Sequence, residues 1–132
     1  MIVLDTHVLF WAASEPRRLS RAAARAIEGE TTSGGGVWIS TVSLYELADM
    51  LRKKRLRGGV SVQGDIEAIT AAVRVGSLEI TAEIAALATE FPMDFSRDPM
   101  DRLIAATARA HEVPLVTKDE RMLDSPLLRT IW

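Results

Sequence analysis

Short apolar runs alternate with longer amphipathic segments along almost the whole chain. Because a continuous apolar run of a few residues is typical of a strand buried on both faces of a sheet, these runs predict β-strands. The predicted strands cover residues 1–4, 37–40, 78–80 and 114–117, with a further edge strand within 127–132. Between them, apolar residues recur three and four positions apart, which predicts helices. The alternation favours an α/β fold with a parallel sheet covered by helices on both faces.

Helix boundaries are marked by capping residues and by glycine. Ser20 is predicted to cap a helix that ends near Glu28, and the glycine-rich residues 29–36 are predicted to form a loop. This segment lacks the Lys and Ser/Thr of a phosphate-binding P-loop, and it precedes a strand where a P-loop opens a helix. Asp98 is predicted to cap a later helix, with Pro99 at its first position.

The composition fits one compact domain without disulfides. The 132 residues are 48% hydrophobic, enough for one core, so residues 1–132 are interpreted as a single domain. The chain contains no Cys, and it shows neither a signal-peptide pattern nor an apolar run of membrane-spanning length. We therefore expect a cytoplasmic protein without membrane contact. Its net charge of −2 does not favour a polyanion overall, so nucleic acid would contact it only locally.

Carboxylates recur at one edge of the predicted sheet. Asp5 follows the first strand, Glu46 lies near the start of the helix after the second strand, and Asp119 follows the fourth. Asp98 and Asp101 begin the helix that leads into that fourth strand. Each residue alone has a structural explanation, such as a turn, a helix cap, or a capping box in the case of Glu46. The carboxyl ends of parallel strands share one edge, however, so we expect these side chains to meet.

Carboxylates gathered in this way require a counter-charge. Two of them about 4 Å apart repel by roughly 1 kcal/mol in water and by several times more at a partly buried site. Protonation or a divalent cation relieves this repulsion. An oxygen-only ligand set, in a chain without Cys and with two His, suits Mg²⁺ or Mn²⁺ and not zinc. The cluster therefore predicts metal-assisted phosphodiester hydrolysis. His7 and His111 have no second His at ligand spacing and are interpreted as structural.

One dense basic run interrupts this acidic chain. The run consists of Arg52, Lys53, Lys54 and Arg55, at the end of the predicted helix that contains Glu46 and before the glycine pair at 58–59. Positive charge at a helix C-terminus followed by glycine is an ordinary solvated end. The run is also the one dense basic patch in the sequence, which would suit a contact with an RNA phosphate backbone. Both interpretations stay open.

Four segments of the chain resemble, in order, the blocks of one protein family. They are residues 2–11 (IVLDTHVLFW), 39–47 (ISTVSLYEL), 97–108 (RDPMDRLIAATA) and 114–119 (PLVTKD), completed by Ile131 and Trp132. The chain resembles the PIN-domain ribonucleases, and within them the VapC-like toxins of bacterial type II toxin–antitoxin modules. Each block is weak alone, but four blocks in order across a chain of matching length are specific.

The resemblance implies a three-layer α/β/α sandwich whose central parallel sheet has about five strands. It also implies an acidic pocket that binds Mg²⁺ or Mn²⁺. Carried over by position, the core acidic triad would be Asp5, Glu46 and Asp101, with Asp119 as the fourth member. Thr6 and Thr117 would support the pocket through hydrogen bonds. Asp98 has two roles open to it, as a metal ligand or as the cap of its helix.

The same resemblance implies an activity and a set of partners. The activity would be endonucleolytic cleavage of RNA, with a tRNA or an rRNA as the typical target. The protein would form a homodimer, and two such dimers can pair into a tetramer; a higher oligomer can form with the antitoxin. Its partner would be a cognate VapB-like antitoxin, whose carboxyl-terminal segment fills the groove and blocks the acids.

Three alternative functions can be compared with the sequence. A haloacid-dehalogenase-type phosphatase also has an Asp after its first strand, as the first residue of an Asp-x-Asp motif. In this chain the second Asp of that motif is replaced by His7. A receiver-type signalling domain requires a phosphorylatable Asp at the end of its third strand, where this chain has Ile80 and Thr81. A PIN-like module that binds RNA or protein without catalysis stays open, because intact acids permit catalysis without demonstrating it.

Overall fold

Five parallel strands form the centre of the protein. The computed structural model describes residues 1–54 and 61–132. The strands are β1 (Ile2–Leu4), β2 (Val37–Ser40), β3 (Gly76–Leu78), β4 (Leu115–Val116) and β5 (Thr130–Ile131). Their order across the sheet is β3-β2-β1-β4-β5, and every neighbouring pair is parallel. The predicted parallel sheet is confirmed, including the edge strand near the C-terminus.

Helices cover both faces of this sheet. Within the described ranges they are α1 (Thr6–Ser14), α2 (Arg21–Ser33), α3 (Val42–Lys54), α4 (Val62–Val73), α5 (Ala82–Glu90), α6 (Pro99–Ala110) and α7 (Glu120–Leu123), with a short 3-10 turn at Pro16–Arg18. One core lies between the sheet and α1 to α4, and a second lies between the sheet and α5 to α7. The three-layer α/β/α sandwich is therefore confirmed. None of these helices has the length and apolar character needed to cross a bilayer.

The central strand β1 shows how the sequence separates the two cores. Ile2 and Leu4 belong to the core under α1 to α4, whereas Val3 belongs to the other core. This division follows from the two-residue period of a strand. All three residues are buried, as expected for a strand with helices on both faces. Asp5 comes directly after them, and its backbone N–H donates to the Val116 carbonyl at 3.0 Å. That bond fixes Asp5 at the carboxyl edge of the sheet.

Strand β3 lies two residues earlier than the sequence pattern predicts. Trp38 of β2 pairs in register with Gly76, and a Cβ added at Gly76 would lie 2.5 Å from a Trp38 ring atom. The indole therefore covers the space that a side chain would occupy at position 76. Glycine is weak in strand interiors, so the apolar pattern did not mark Gly76 as part of a strand, and the prediction of residues 78–80 was wrong by two positions.

Helix α2 continues five residues beyond its predicted end. Gly29 lies inside it, and the hydroxyls of Thr31 and Thr32 donate to the carbonyls of Ile27 and Glu28 at 2.7 and 3.0 Å. The helix ends at Gly34, whose φ of 85° is the left-handed conformation that glycine favours. The loop predicted over 29–36 is thus confined to its last residues.

Arg102 ties the start of α6 to the segment that precedes it. Its guanidinium donates to four backbone carbonyls, those of Ala88 (3.3 Å), Phe91 (2.8 Å), Pro92 (2.9 Å) and Ser96 (2.7 Å). Two of these carbonyls, Ala88 and Phe91, lie at the C-terminal end of α5, where positive charge is favourable. Arg102 therefore holds the chain between α5 and α6 in the shape that delivers Ser96, Asp98 and Asp101 to the edge of the sheet.

Removing this guanidinium should destabilise the fold. We expect Arg102→Met to lower the free energy of unfolding by about 2 kcal/mol, because hydrogen bonds from a charged donor are lost and half-buried carbonyls stay unpaired. Urea denaturation followed by circular dichroism measures the loss. Arg97→Met is the matched control, since Arg97 is exposed and should change stability by less than about 0.5 kcal/mol. Equal losses in the two variants would contradict the stabilising role of Arg102.

Candidate metal-binding acidic site

An open cleft of about 510 Å³ lies at the carboxyl edge of the sheet. Its walls come from α1, α3, α6 and the segment after β4. The lining residues are Asp5, His7, Trp11, Glu46, Asp98, Asp101, Lys118, Asp119 and Glu120. The structure thus brings the five carboxylates singled out in the sequence to one cleft. It adds four residues to that cleft: Trp11, Lys118 and Glu120, together with His7, which was interpreted as structural and is exposed there.

Asp5 is the most enclosed of these acids. Its side chain caps α1 by accepting from the Thr6 N–H at 2.8 Å, and its other oxygen accepts from the Thr117 hydroxyl at 2.8 Å. Burial raises the pKa of Asp5, while these two hydrogen bonds and the nearby His7 oppose the rise. Each carboxylate oxygen is therefore fixed by one donor and keeps lone pairs for a further partner.

Glu46 reaches across to α1 and does not form the predicted capping box. The Thr6 hydroxyl donates to Glu46 Oε1 at 2.6 Å and lies 3.0 Å from Ser43 Oγ. Because α3 begins at Val42, Ser43 lies inside the helix and is not its cap. Burial raises the pKa of Glu46 to about 6, helped by the charges of Asp5 and Asp101. The carboxylate belongs to the cleft and not to the helix end.

Asp101 lies in the first turn of α6, held by a residue that sequence reasoning missed. The hydroxyl of the fully buried Ser96 donates to Asp101 Oδ2 at 2.5 Å. Burial raises the pKa of Asp101 to about 6, and the charges of Asp5, Asp98 and Asp119 also raise it. Ser96 precedes the helix cap by two residues, and nothing in the local sequence marks it as a partner of Asp101.

Three carboxylates approach closely enough to hold one cation. One oxygen from each of Glu46, Asp98 and Asp101 lies within 4.8 Å of the other two. Asp98 also accepts from the Met100 N–H at 2.9 Å, so the predicted cap is confirmed. The same side chain is therefore both a helix cap and a member of the acidic group. Asp5 and Asp119 line the same cleft outside this trio.

Asp119 is paired with a cation from its own chain. Its carboxylate caps α7 through the Arg121 N–H at 2.9 Å and bonds the Arg121 guanidinium at 3.1 Å. Burial alone would raise the pKa of Asp119, but the hydrogen bonds and charge of Arg121 lower it overall. Arg121 Nη2 also lies 3.8 Å from Asp101 Oδ2. An exposed arginine thus supplies part of the counter-charge at the mouth of the cleft.

The residues present fit a hard divalent cation. The donor set consists of carboxylate oxygens and hydroxyls, which suit Mg²⁺ or Mn²⁺. Burial is the main reason that the pKa values of Glu46 and Asp101 rise to about 6, and the neighbouring carboxylates add to the rise. A cation between them would lower the cost of their negative charges.

The basic run at the end of α3 lies only partly within the described residues. Arg52 and Lys53 are exposed on the last turns of the helix. Lys53 Nζ donates to Asp49 Oδ2 at 2.7 Å, a helical pair four residues apart. Arg55 and the side chain of Lys54 lie outside the described part of the chain.

Comparisons with known proteins agree with this fold. The family model for the PIN domain matches residues 2–125. The chain therefore belongs to the PIN-domain family. Within that family it is VapC-like, as the four sequence blocks predicted: it is 37% identical over 133 residues to ribonuclease VapC22 of Mycobacterium tuberculosis (strain ATCC 25618 / H37Rv), with 99% of this chain and 98% of that protein covered.

Solved structures share the fold at lower identity. VapBC2 from Rickettsia felis, bound to a DNA fragment from its promoter, aligns with a TM-score of 0.73 at 20% identity over 98% of this chain and 97% of that chain. VapC20 of Mycobacterium tuberculosis, a toxin that cleaves the sarcin–ricin loop, aligns with a TM-score of 0.61 at 22% identity over 98% and 99% of the two chains.

Proposed function

We propose that this protein is a metal-dependent endoribonuclease that acts as the toxin of a toxin–antitoxin pair. The observation that carries the proposal is the approach of Glu46, Asp98 and Asp101 to within 4.8 Å in an open cleft. Support comes from the 37% identity to a ribonuclease of the VapC type. The proposed domain spans residues 1–132, and the proposed site of action is the cytoplasm.

The five carboxylates divide the work of holding the metal. We assign Asp5, Glu46 and Asp101 as the core acidic triad, Asp119 as the fourth catalytic acid, and Asp98 as a further ligand to Mg²⁺ or Mn²⁺. When bound, such an ion neutralises charge on the phosphodiester and increases the acidity of water. The carboxylates can hold the ion in one place because they lie at the edge of the sheet and near the starts of α3 and α6.

Two threonines orient the acids. Thr117 donates to Asp5 and Thr6 donates to Glu46, so each hydroxyl fixes the direction of one carboxylate. Thr6 and Thr117 are fully buried, which keeps these bonds out of competition with water. Such outer partners of metal ligands commonly contribute about tenfold to 100-fold in metal affinity or activity.

Solved structures of the same fold support a proposal about the partners of this chain. Solved neighbours include a VapBC complex from Rickettsia felis and one from Salmonella typhimurium, both bound to DNA. We propose a VapB-like antitoxin as the partner of this chain and a homodimer as its assembly, with room for a higher oligomer when the antitoxin is bound. RNA is the proposed substrate, and the basic run of Arg52, Lys53, Lys54 and Arg55 is a proposed contact for its phosphates.

Cleavage of a total RNA pool tests this function. Wild-type protein with Mn²⁺ should produce discrete new RNA ends, and EDTA should remove them. Asp5→Asn should remove them as well, because the variant keeps the shape of the side chain and loses its charge. Cleavage that persists in EDTA, or in Asp5→Asn at the wild-type rate, would contradict the proposal. RNA or protein binding without any cleavage would favour a non-catalytic PIN-like module.

A further inference from the structure

Three side chains with N–H donors surround one indole ring at the rim of the acidic cleft. Arg18 Cζ lies 4.5 Å from the centroid of the Trp11 ring, and Lys118 Nζ lies 5.9 Å from it. The imidazole of His7 lies 5.8 Å away, tilted by 53°. His7 and Trp11 belong to α1 and Arg18 to the turn that follows it, whereas Lys118 is brought to the ring by the fold, from the segment after β4.

The indole serves as a support for the cations and not as a stacking surface for a base. Trp11 is only 7% exposed, and the centroid of the Trp132 ring lies 5.9 Å from that of Trp11. Its Nε1 has no hydrogen-bond partner among the residues that the structure describes. The contacts of Trp11 with Arg18 and Lys118 are cation–π contacts, in which the positive group lies over the face of the ring.

Both cations keep donors available to a ligand. Arg18 is about half exposed and uses Nη1 for a 3.3 Å bond to Glu15, which leaves most of its five N–H groups unused by that bond. Lys118 is exposed, and it forms no salt bridge within the described ranges. Their charge is directed at solvent beside the cleft.

The position of these cations complements that of the acids. Lys118 lines the cleft directly before Asp119, and Trp132 follows β5, so the group lies on the β4–β5 side of Asp5. Glu46 belongs to α3, on the β2 side. A cleft lined by carboxylates repels a polyanion unless positive charge stands at its rim. Lys118 supplies such charge in the cleft itself, and Arg18 adds a second positive charge on the Trp11 ring, which also lines the cleft.

We propose that Arg18 and Lys118, held on the face of Trp11, form a phosphate-binding subsite for the RNA backbone beside the acidic cleft. This inference rests on the proposed action of the protein on RNA. The subsite takes a phosphodiester next to the one presented to the acids and so sets the direction in which the strand crosses the sheet edge. Trp11 is a positioning residue, because it acts through the two cations.

RNA binding measured at several salt concentrations tests the subsite. The probe is a fluorescently labelled single-stranded RNA, and binding is measured in the presence of Mg²⁺. The parent protein carries Asp5→Asn so that it does not cleave the probe, and the integrity of the RNA is checked afterwards. In this parent, Lys118→Ala and Arg18→Ala should each weaken binding about threefold to tenfold. Each should also make the slope of log affinity against log salt shallower by about 0.7, the value for one phosphate contact on a single strand.

Two further variants serve as control and as probe of the indole. Arg25→Ala removes the same charge from an exposed position of α2 and should leave affinity and slope unchanged. Trp11→Leu should reproduce the shallower slope of the cation variants. Trp11→Phe should retain most of the binding, because it keeps an aromatic face and removes no hydrogen bond formed within the described residues. A merely structural role of Trp11 would lower thermal stability without changing the slope.

The outcomes separate this inference from the proposed function. If both cation variants bind RNA with the affinity and salt slope of the parent, the subsite is overturned. Metal-dependent RNA cleavage by the wild type in the same set of experiments would leave the proposed nuclease function standing. Absence of RNA cleavage by the wild type would overturn the proposed function. Absence of RNA binding by the parent would overturn the subsite whatever the cleavage assay shows.

Discussion

Replacing Asp101 with Asn is expected to reduce RNA cleavage by more than about 100-fold while leaving the protein folded. Even outer partners of metal ligands commonly change activity by tenfold to 100-fold, so removing a direct carboxylate should cost more. The amide keeps the size of the side chain, and its oxygen can still accept from the Ser96 hydroxyl that now bonds Asp101 at 2.5 Å. The loss should therefore come from the missing charge.

Initial rates of RNA cleavage at several Mn²⁺ concentrations measure this effect. Partial recovery at high Mn²⁺ would place the loss in metal affinity, and no recovery would place it in the chemical step. Asp94→Asn is the matched control, because Asp94 is exposed and precedes the same helix without lining the cleft. If Asp101→Asn cleaves RNA as fast as this control, Asp101 does not belong to the proposed metal site.

The sheet and its acidic edge could be predicted because they depend on local patterns. The run Ile2–Leu4 is apolar at every position, and Asp5 follows it directly, so both the buried strand and the place of its carboxylate are visible in sequence. Asp98 and Pro99 mark the start of α6 in the same local way. A rule about parallel sheets then brings the carboxyl ends of the strands to one edge.

The partners of these acids could not be predicted, because they depend on contacts between distant segments. Ser96 is only five residues from Asp101, but their contact forms in a segment whose shape Arg102 holds through bonds to four carbonyls, three of them ten or more residues away in or near the end of α5. The sequence around Glu46 suggests a local capping box, but its Oε1 accepts a hydrogen bond from the hydroxyl of Thr6, 40 residues away. Where a local and a distant partner compete for one side chain, sequence pattern favours the local one.

The acidic group should make the metal-free protein less stable as pH rises. The pKa values of Glu46 and Asp101 lie at about 6, above their ordinary values of 4.5 and 3.8. A carboxyl that binds its proton more tightly when folded destabilises the fold as pH rises from about 4 to 6, and the loss is complete above that range. Together the two groups should cost about 3 kcal/mol, after allowance for their partial exposure.

Thermal melting across this pH range, with EDTA or with Mn²⁺, measures how much the ionised acids destabilise the protein and how much of that stability the ion restores. In EDTA the melting temperature of the wild type should fall between about pH 4 and 6 relative to Asp101→Asn. At neutral pH, Mn²⁺ at about 100 times its dissociation constant should add about 2.7 kcal/mol, or roughly 8 °C for a chain of this size. The gain should shrink toward pH 4, because protons compete for the same oxygens. Asp94→Asn should behave as the wild type, whereas an equal Mn²⁺ gain in Asp101→Asn would show that the ion binds elsewhere.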